Sequence, residues 1–349
     1  MLFRSIFFDF INLFSDIRND EKIIKTMDGI KIEIRDLVDI DSLSKEYDIS
    51  KNELISFHNR NCALHELLPE RLPKYINSIY IPKEKYKKWK EKQLPVSRID
   101  VPEASEMLKY GVLITQQSQE LNIDYLIDIQ RFGDRKVSIF RQKLQVNNNE
   151  VDLMVEKIME TAGKALYPIH MSLNKKGKPD RIENAEDIQT RWNEIYRPRI
   201  QQYYVGETAE GLITTYDYFY ENIENGVGSL QRNVFYPIFF IPLYDSYPDY
   251  QKEERLNFYF PSFGEMVYYD TVFSLQRTFS DSGRIVIQVK GDQCYDEISL
   301  DEDKGKIELD YQLDKESRNV FSVTGTLSTF YDNQEIKIYI EIYRQEAYL

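Results

Sequence analysis

The sequence predicts an α+β protein that ends in an antiparallel β-sheet. Apolar and polar residues alternate through much of the segment 257–349, and the alternation is strict at Ile336, Ile338, Ile340 and Ile342. A period of two places one face of a strand on a core or on another sheet. Apolar residues recur instead at helical spacing in the segments 151–165 and 184–196. Helices packed on an antiparallel sheet satisfy both patterns.

Composition indicates a folded protein with more than one domain. The chain has 349 residues, of which 42% are hydrophobic and 13% aromatic, enough for sizeable cores. The formal net charge of −13 argues against nucleic acid and anionic lipid as main partners, because both require a basic surface. The two cysteines, Cys62 and Cys294, lie far apart in sequence and predict free thiols in a reducing compartment.

The first twenty residues predict an amphipathic helix. One apolar stripe at helical spacing is formed by Phe3, Phe7, Phe10 and Phe14. Asp9 interrupts the apolar run, no small-residue cleavage site follows, and the run is too short to span a bilayer. We therefore expect no signal peptide, no membrane span and a cytoplasmic protein. The helix either packs on the protein's own core or lies in a groove of a partner protein, with a membrane or export signal as the third alternative.

The segment 30–83 predicts a strand, two helices and a closing strand. Its apolar positions include Leu43, Tyr47, Ile49 and Leu54, and Asn59 closes the second helix. The last strand is Ile79–Ile81, followed by Pro82. This pattern resembles a LysM domain, a small module best known for binding polymers of N-acetylglucosamine. The resemblance implies a βααβ fold that binds or locates molecules and performs no chemistry.

The resemblance also implies where a glycan would lie, between the loop after the first strand and the loop before the last. The candidate groove residues are Asp39, Asp41, Asn59 and Asn77. The first loop lacks the glycine-aspartate-threonine pattern of LysM domains. The second loop, 60–77, is enlarged, and its leucines are spaced for a short extra helix: Leu64, Leu67, Leu68 and Leu72. We expect this helix to reshape the groove and to dock a protein.

Prolines, glycines and turn residues divide the rest of the chain into three regions. A charged helix and linker occupy 84–104, an α+β middle region 105–256, and an antiparallel β region 257–349 that packs on the middle region. In the middle region, Asn184 is expected to cap a helix and Pro237–Tyr244 to form a buried extended segment. The expected C-terminal strands are Val267–Leu275, Gly283–Lys290, Lys306–Gln312, Val320–Tyr331 and Glu335–Arg344. Whether 105–349 forms one domain or two stays open.

Chemical motifs are sparse, so we expect a protein that is not an enzyme and needs no cofactor. The sequence lacks G-x-S-x-G, H-E-x-x-H, Walker A and C-x-x-C motifs. The cluster of His58, Cys62, His65 and Glu66 has metal-ligand character, but structural zinc normally requires a second ligand pair. Local packing of a loop is therefore the interpretation favoured over a metal site. His170 is expected on the face or in the core of a strand.

The overall layout is similar to LysM-containing proteins of Bacteroidota that accompany type VI secretion genes. This resemblance implies a non-enzymatic adaptor or structural component that docks other proteins of a contractile injection apparatus, remaining in the cytoplasm or exported by that apparatus. The leading alternative is a peptidoglycan-binding protein. A cell-wall-active or toxic effector enzyme is a third reading, and an immunity or chaperone protein a fourth.

Overall fold

The computed structural model describes residues 28–34, 39–73, 76–117, 120–133, 135–147, 149–150, 153–294 and 304–345. The chain is an α+β protein that divides into two compact units, Met1–Lys92 and Gln93–Leu349. In the part of the chain that is described, no helix is long and apolar enough to cross a membrane. The four phenylalanines of the expected N-terminal helix, Phe3, Phe7, Phe10 and Phe14, lie outside the described residues.

The first unit has the predicted order of strand, helix, helix and strand. Its elements are β1 (Gly29–Glu33), α1 (Ile40–Glu46), α2 (Lys51–Asn61), β2 (Ser78–Pro82) and α3 (Lys83–Lys92). The two strands pair antiparallel, with Ile30 opposite Ile81 and Ile32 opposite Ile79. Ile79 and Ile81 are fully buried beneath the helices.

Capping residues explain where the helices α1 and α2 begin. Asp39 accepts a hydrogen bond from the Ser42 amide at 2.6 Å, and α1 therefore starts three residues before the expected Leu43. Ser50 caps α2 in the same way through the Glu53 amide. The charged helix α3 packs through Trp89, whose ring centroid lies 5.0 Å from that of Tyr47.

The second unit is built on one antiparallel sheet. Its strands are β3 (Leu108–Gln116), β4 (Leu121–Phe132), β5 (Lys136–Val146), β6 (Asn149–Glu150), β7 (Ile169–Leu173), β8 (Pro179–Ile182), β9 (Gln251–Phe260), β10 (Glu265–Leu275), β11 (Ile285–Gln293), β12 (Lys306–Leu313), β13 (Val320–Tyr331) and β14 (Gln334–Arg344). Their order is β8-β7-β5-β4-β3-β14-β13-β12-β11-β10-β9, and β6 pairs with β5. The sheet therefore joins the middle and C-terminal regions where β3 pairs with β14.

This continuous sheet shows no domain boundary at the expected division between residues 256 and 257. That position falls inside β9, and residues 93–349 form a single unit. All five expected C-terminal strands are present as β10 to β14. The strands that the sequence pattern did not reveal include β3 and β9. β9 lies at one end of the sheet order. Its first half, from Gln251 to Arg255, has only polar and charged residues, so the apolar alternation of a strand is missing there.

Helices of the second unit pack against the sheet. They are α4 (Met154–Lys164), α5 (Ala185–Arg191), α6 (Arg197–Tyr203), α7 (Glu207–Glu221), α8 (Val227–Leu230) and α9 (Phe235–Phe239), and a π-helical turn, Trp192–Tyr196, joins α5 to α6. The ring of Phe239 lies edge-on to Tyr110 of β3, with centroids 5.1 Å apart. The hydroxyl of Tyr311 on β12 donates to the Ile238 carbonyl at 2.8 Å.

Two local expectations in this unit are met only in part. The segment expected to be extended from Pro237 to Tyr244 is buried, but it opens within the helix α9. Asn184 occupies the N-cap position of α5 as expected, but its side chain makes no capping hydrogen bond. Its amide group instead accepts from the His170 N–H at 2.8 Å and donates to the Pro168 carbonyl at 2.9 Å, which ties β7 to the helix start.

Candidate functional site

His58 is the centre of a hydrogen-bond arrangement in the first unit. Its side chain is fully buried on α2. Nδ1 accepts from the Tyr80 amide at 3.0 Å, so Nε2 carries the proton and donates to the Glu66 carbonyl at 2.8 Å. Burial lowers the pKa of the imidazole, and the Glu66 carbonyl opposes this shift. A neutral His58 therefore joins α2, β2 and the enlarged loop.

Asn59 makes a second connection to the same loop. Its Nδ2 donates to the Leu68 carbonyl at 2.9 Å, and its Oδ1 accepts from the Leu68 amide at 2.7 Å. Both halves of the side-chain amide are thus used by the backbone of one residue. Asn59 therefore has a structural role. The prediction that its side chain lines a glycan groove is wrong, because both ends of its amide group bind the Leu68 backbone.

The enlarged loop forms one turn of 3₁₀ helix, Leu64–Glu66, where a short helix was expected. The turn is closed by Glu66, whose carboxylate accepts from the Ala63 amide and pairs with Lys31 at 3.1 Å. Hydrogen bonding to Lys31 and to Ala63 lowers the pKa of Glu66. Two adjoining residues, His58 and Asn59, therefore hold the loop from one side, and Lys31 holds it from the other.

The four leucines of this loop divide into two pairs. Leu64 is 75% exposed and Leu67 is 40% exposed, so both are accessible to a partner. Leu68 is 3% exposed and lies in the core of the first unit, and Leu72 packs against that core. The expectation that Leu68 and Leu72 dock a partner is therefore wrong, because their side chains fill the unit's own interior.

The remaining groove candidates have separate local roles. Asp39 caps α1, and hydrogen bonds from the Ser42 amide and side chain lower the pKa of its carboxyl. Asp41 is exposed and pairs with Lys51 at 3.1 Å. Asn77 is exposed, and its carbonyl accepts from the Ile34 amide at 2.9 Å. Asp39, Asp41 and Asn77 are all exposed, but the carboxylate of Asp39 is used in capping α1.

The possible metal ligands of the same loop do not converge. Both ring nitrogens of His58 are used by the backbone, and His65 is exposed. Across the described residues, no group of three or more histidine, cysteine, aspartate or glutamate side chains is placed to hold a metal ion. Cys62 and Cys294 are not joined in a disulfide, and both are of intermediate exposure. His170 lies on an exposed face of β7.

The second unit contains a cavity that no local sequence pattern indicated. It has a volume of about 610 Å³ and lies between the sheet and the helices α4 and α7. Most of its lining is apolar, from strand residues such as Ile114, Ile123, Leu144 and Ile338 and from the helix residues Met159 and Phe219. These residues are distant in sequence, so only the fold brings them together.

Arg141 is one of the charged residues that line this cavity. It extends from β5 so that its guanidinium lies over the ring of Tyr167, 5.2 Å from the centroid. Its Nη2 atom is buried and has no hydrogen-bond partner among the described residues. Burial raises the pKa of Tyr167, against the effect of the nearby Arg141 charge, so the phenol stays protonated.

A charged cluster beside β9 has a structural explanation. Lys176, in the turn between β7 and β8, lies 2.9 Å from Glu254 and 3.2 Å from Asp245. The largely buried Lys252 ammonium lies 3.5 Å from the same Asp245 carboxylate. Burial lowers the pKa of Lys252, and both carboxylates oppose that change. Two cations matched by two carboxylates tie the turn to the edge strand and leave no unmatched charge for chemistry.

Comparison with known proteins assigns no family. Neither a protein-family model nor a curated protein matches the chain. Among solved structures the chain is similar to lipovitellin, in a structure that concerns lipid–protein interactions in that protein, with a TM-score of 0.40 and 8% identity. The similarity covers 72% of this chain and 25% of the lipovitellin chain, so the chain spans about a quarter of that protein's length. These values establish neither a common fold nor a common function.

Proposed function

We propose that the chain is a non-enzymatic adaptor that docks another protein through its first unit, and that this unit is a LysM-like module. The observation that supports the proposal is the exposure of Leu64 and Leu67 on a loop that is fastened at several points. Exposed leucines occur singly on many proteins, but two on one ordered turn form a compact apolar contact.

The fastening of the loop matters energetically. A loop whose backbone is already ordered loses less conformational entropy when a partner binds it. His58, Asn59 and Glu66 hold the backbone on both sides of the turn, so the backbone that carries Leu64 and Leu67 is held in one arrangement. Such preorganised apolar residues are typical centres of a protein interface.

The class of partner rests on the resemblance seen in the sequence. The strand–helix–helix–strand order, with Leu43 and Leu54 in the core, supports a LysM-like module. The similarity of layout to LysM-containing proteins encoded with type VI secretion genes supports a component of a contractile injection assembly as the partner. The partner is therefore proposed to be a protein of that assembly.

The test is affinity purification of the tagged full-length chain from its host. A variant with Leu64→Asp and Leu67→Asp is compared with the wild type and with a control that carries Val205→Asp and Tyr203→Asp. The control residues are exposed apolar residues of the second unit, at 88% and 69% exposure. We expect secretion-assembly proteins to copurify with wild type and control, and to be lost with the leucine variant.

Two outcomes would count against the proposal. Equal recovery of the same partner with the leucine variant would exclude the 64–67 turn as the contact. Retention of the chain on purified peptidoglycan that persists in the leucine variant but is lost with Asp41→Asn and Asn77→Ala would instead support the glycan-binding alternative.

A further inference from the structure

We propose that the cavity of the second unit binds one amphiphilic organic anion, with its apolar body inside the cavity and its acidic head group on Arg141. This binding site is independent of the docking role proposed for the first unit. The class of ligand follows from the size of the cavity, its apolar lining and the guanidinium of Arg141, whose Nη2 atom has no hydrogen-bond partner among the described residues.

The volume and lining define the body of the ligand. About 610 Å³ lies within the range of cavities that enclose small organic ligands in proteins. Because the walls are mainly aliphatic and aromatic, a polar body would lose hydration without gaining hydrogen bonds. An apolar chain or ring system is therefore favoured over a sugar or a nucleotide.

Arg141 defines the head group. The guanidinium of Arg141 lines the cavity and forms no ion pair among the described residues, and its buried Nη2 atom makes no hydrogen bond, so an acidic group in the cavity would compensate its charge. A carboxylate suits this position because guanidinium groups form short, charge-assisted hydrogen bonds with it. Gly163 on α4 keeps the space around the guanidinium open, since a Cβ atom at that position would lie 2.9 Å from Nη2.

Tyr167 provides a second donor next to the guanidinium. Its hydroxyl oxygen accepts from the Tyr236 hydroxyl at 3.1 Å, which leaves the Tyr167 proton free to be donated to an acceptor in the cavity. Both Arg141 and Tyr167 line the cavity, and the guanidinium lies over the Tyr167 ring. Together they can bind the two oxygens of one carboxylate.

Other charged residues of the lining are compatible with this assignment. Glu160 pairs with Lys164 at 3.0 Å, so part of its charge is neutralised. Glu156 also belongs to the lining, and Arg232 adds a second cation. The preference for an anion therefore depends on Arg141 and is tested at that residue.

The experiment uses the purified full-length chain and three probes: dodecanoate, dodecan-1-ol and acetate. Binding is measured by isothermal titration calorimetry below the micelle concentration. We expect dodecanoate to bind with a stoichiometry of one, dodecan-1-ol to bind at least about tenfold more weakly, and acetate not to bind, because both the body and the head contribute.

Variants locate the head group. Arg141→Gln should weaken dodecanoate binding by about tenfold or more and leave dodecan-1-ol binding unchanged. The matched control is Arg199→Gln, which removes the same charge from an exposed helix position. Gly163→Ala, which displaces the guanidinium, should weaken dodecanoate binding several-fold while changing little else.

Three results would overturn the proposal. One is the absence of saturable binding of dodecanoate to the folded wild type. Another is equal affinity for dodecanoate and dodecan-1-ol, which needs no variant and so remains informative if Arg141→Gln fails to fold. The third is unchanged dodecanoate affinity in both folded Arg141→Gln and Gly163→Ala.

Discussion

Tyr110 and Val320 are joined by a buried hydrogen bond although 210 residues separate them in the chain. The phenolic hydroxyl of Tyr110 on β3 donates to the Val320 carbonyl on β13 at 2.7 Å. Each residue is only 1% exposed. Because β14 lies between these two strands, the bond spans the position where the early and late parts of the chain enter one sheet. Burial raises the pKa of the phenol well above its usual value, so it remains a donor.

Replacing Tyr110 with Phe should destabilise the second unit. The change removes the donor and leaves the Val320 carbonyl without this bond in a buried site, which costs roughly 1–3 kcal/mol. Urea unfolding followed by far-UV circular dichroism measures the loss. Tyr218→Phe, at a residue that is 73% exposed, serves as the control and should change stability by less than about 0.5 kcal/mol. Equal effects of the two substitutions would contradict the role assigned to the bond.

Protonation of His58 should destabilise the first unit. Burial holds the pKa of His58 below 6.5 in the folded state, so the unfolded state binds the proton first as the pH falls. Stability is therefore complete above pH 6.5 and is lost progressively as the pH decreases toward the folded-state pKa. Protonation would also remove the acceptor that Nδ1 offers to the Tyr80 amide.

Trp89 provides the readout, since it packs on Tyr47 in the first unit. A Trp192→Phe background leaves Trp89 as the single tryptophan of the chain. The thermal unfolding midpoint that Trp89 reports should decrease when the pH is lowered from 7 to 5. This decrease should be smaller in His58→Gln. His65→Gln changes an exposed histidine and should keep the pH dependence. A His58 imidazole that titrates above 6.5 by NMR would refute the prediction.

Gly325 should not tolerate a side chain. Its φ of +152° lies where residues with a Cβ are strained, and a Cβ there would lie 2.0 Å from the Glu308 carbonyl oxygen on the neighbouring strand. Gly325→Ala is expected to lower the free energy of unfolding by about 1–3 kcal/mol. The matched control is Gly211→Ala in α7, where a Cβ meets nothing within 4 Å, and this change should stabilise by about 0.5–1 kcal/mol. Chemical denaturation of both variants measures these changes in the free energy of unfolding.

Asn59 should control the order of the 60–77 loop. Asn59→Ala removes both hydrogen bonds to Leu68 and is expected to cost roughly 1–3 kcal/mol. Limited proteolysis with mass spectrometry should then show cleavage within the loop that the wild type resists. Asn222→Ala, which removes one exposed hydrogen bond to the Tyr218 carbonyl, is the control. Identical cleavage patterns would show that other contacts order the loop.

The sequence predicted the C-terminal strands well because their signal is local. Ile336, Ile338 and Ile340 alternate with polar residues, and all three are buried in β14. The turn before this strand also has a local cause, since Asp332 and Asn333 both adopt positive φ, which aspartate and asparagine tolerate better than other residues that carry a side chain. These features depend on residues a few positions apart.

The candidate sites were predicted less well. The leucines of the 60–77 loop are the same residue type, yet Leu64 faces solvent and Leu68 is buried. The difference arises because Asn59 binds the Leu68 backbone, a contact across nine residues that spacing alone does not indicate. His58 likewise resembled a ligand in sequence, and its two backbone partners give it a structural role.

What the sequence by itself determined is the α+β class, the strand–helix–helix–strand order of the first unit and most strand positions, because periodicity and capping act within one element. Only the tertiary structure decided that β3 pairs with β14 to make one sheet, and that Arg141 lies in an apolar cavity beside Tyr167. Those arrangements bring together residues from separate elements, and their energies come from burial and hydrogen bonds that exist only after the elements have packed.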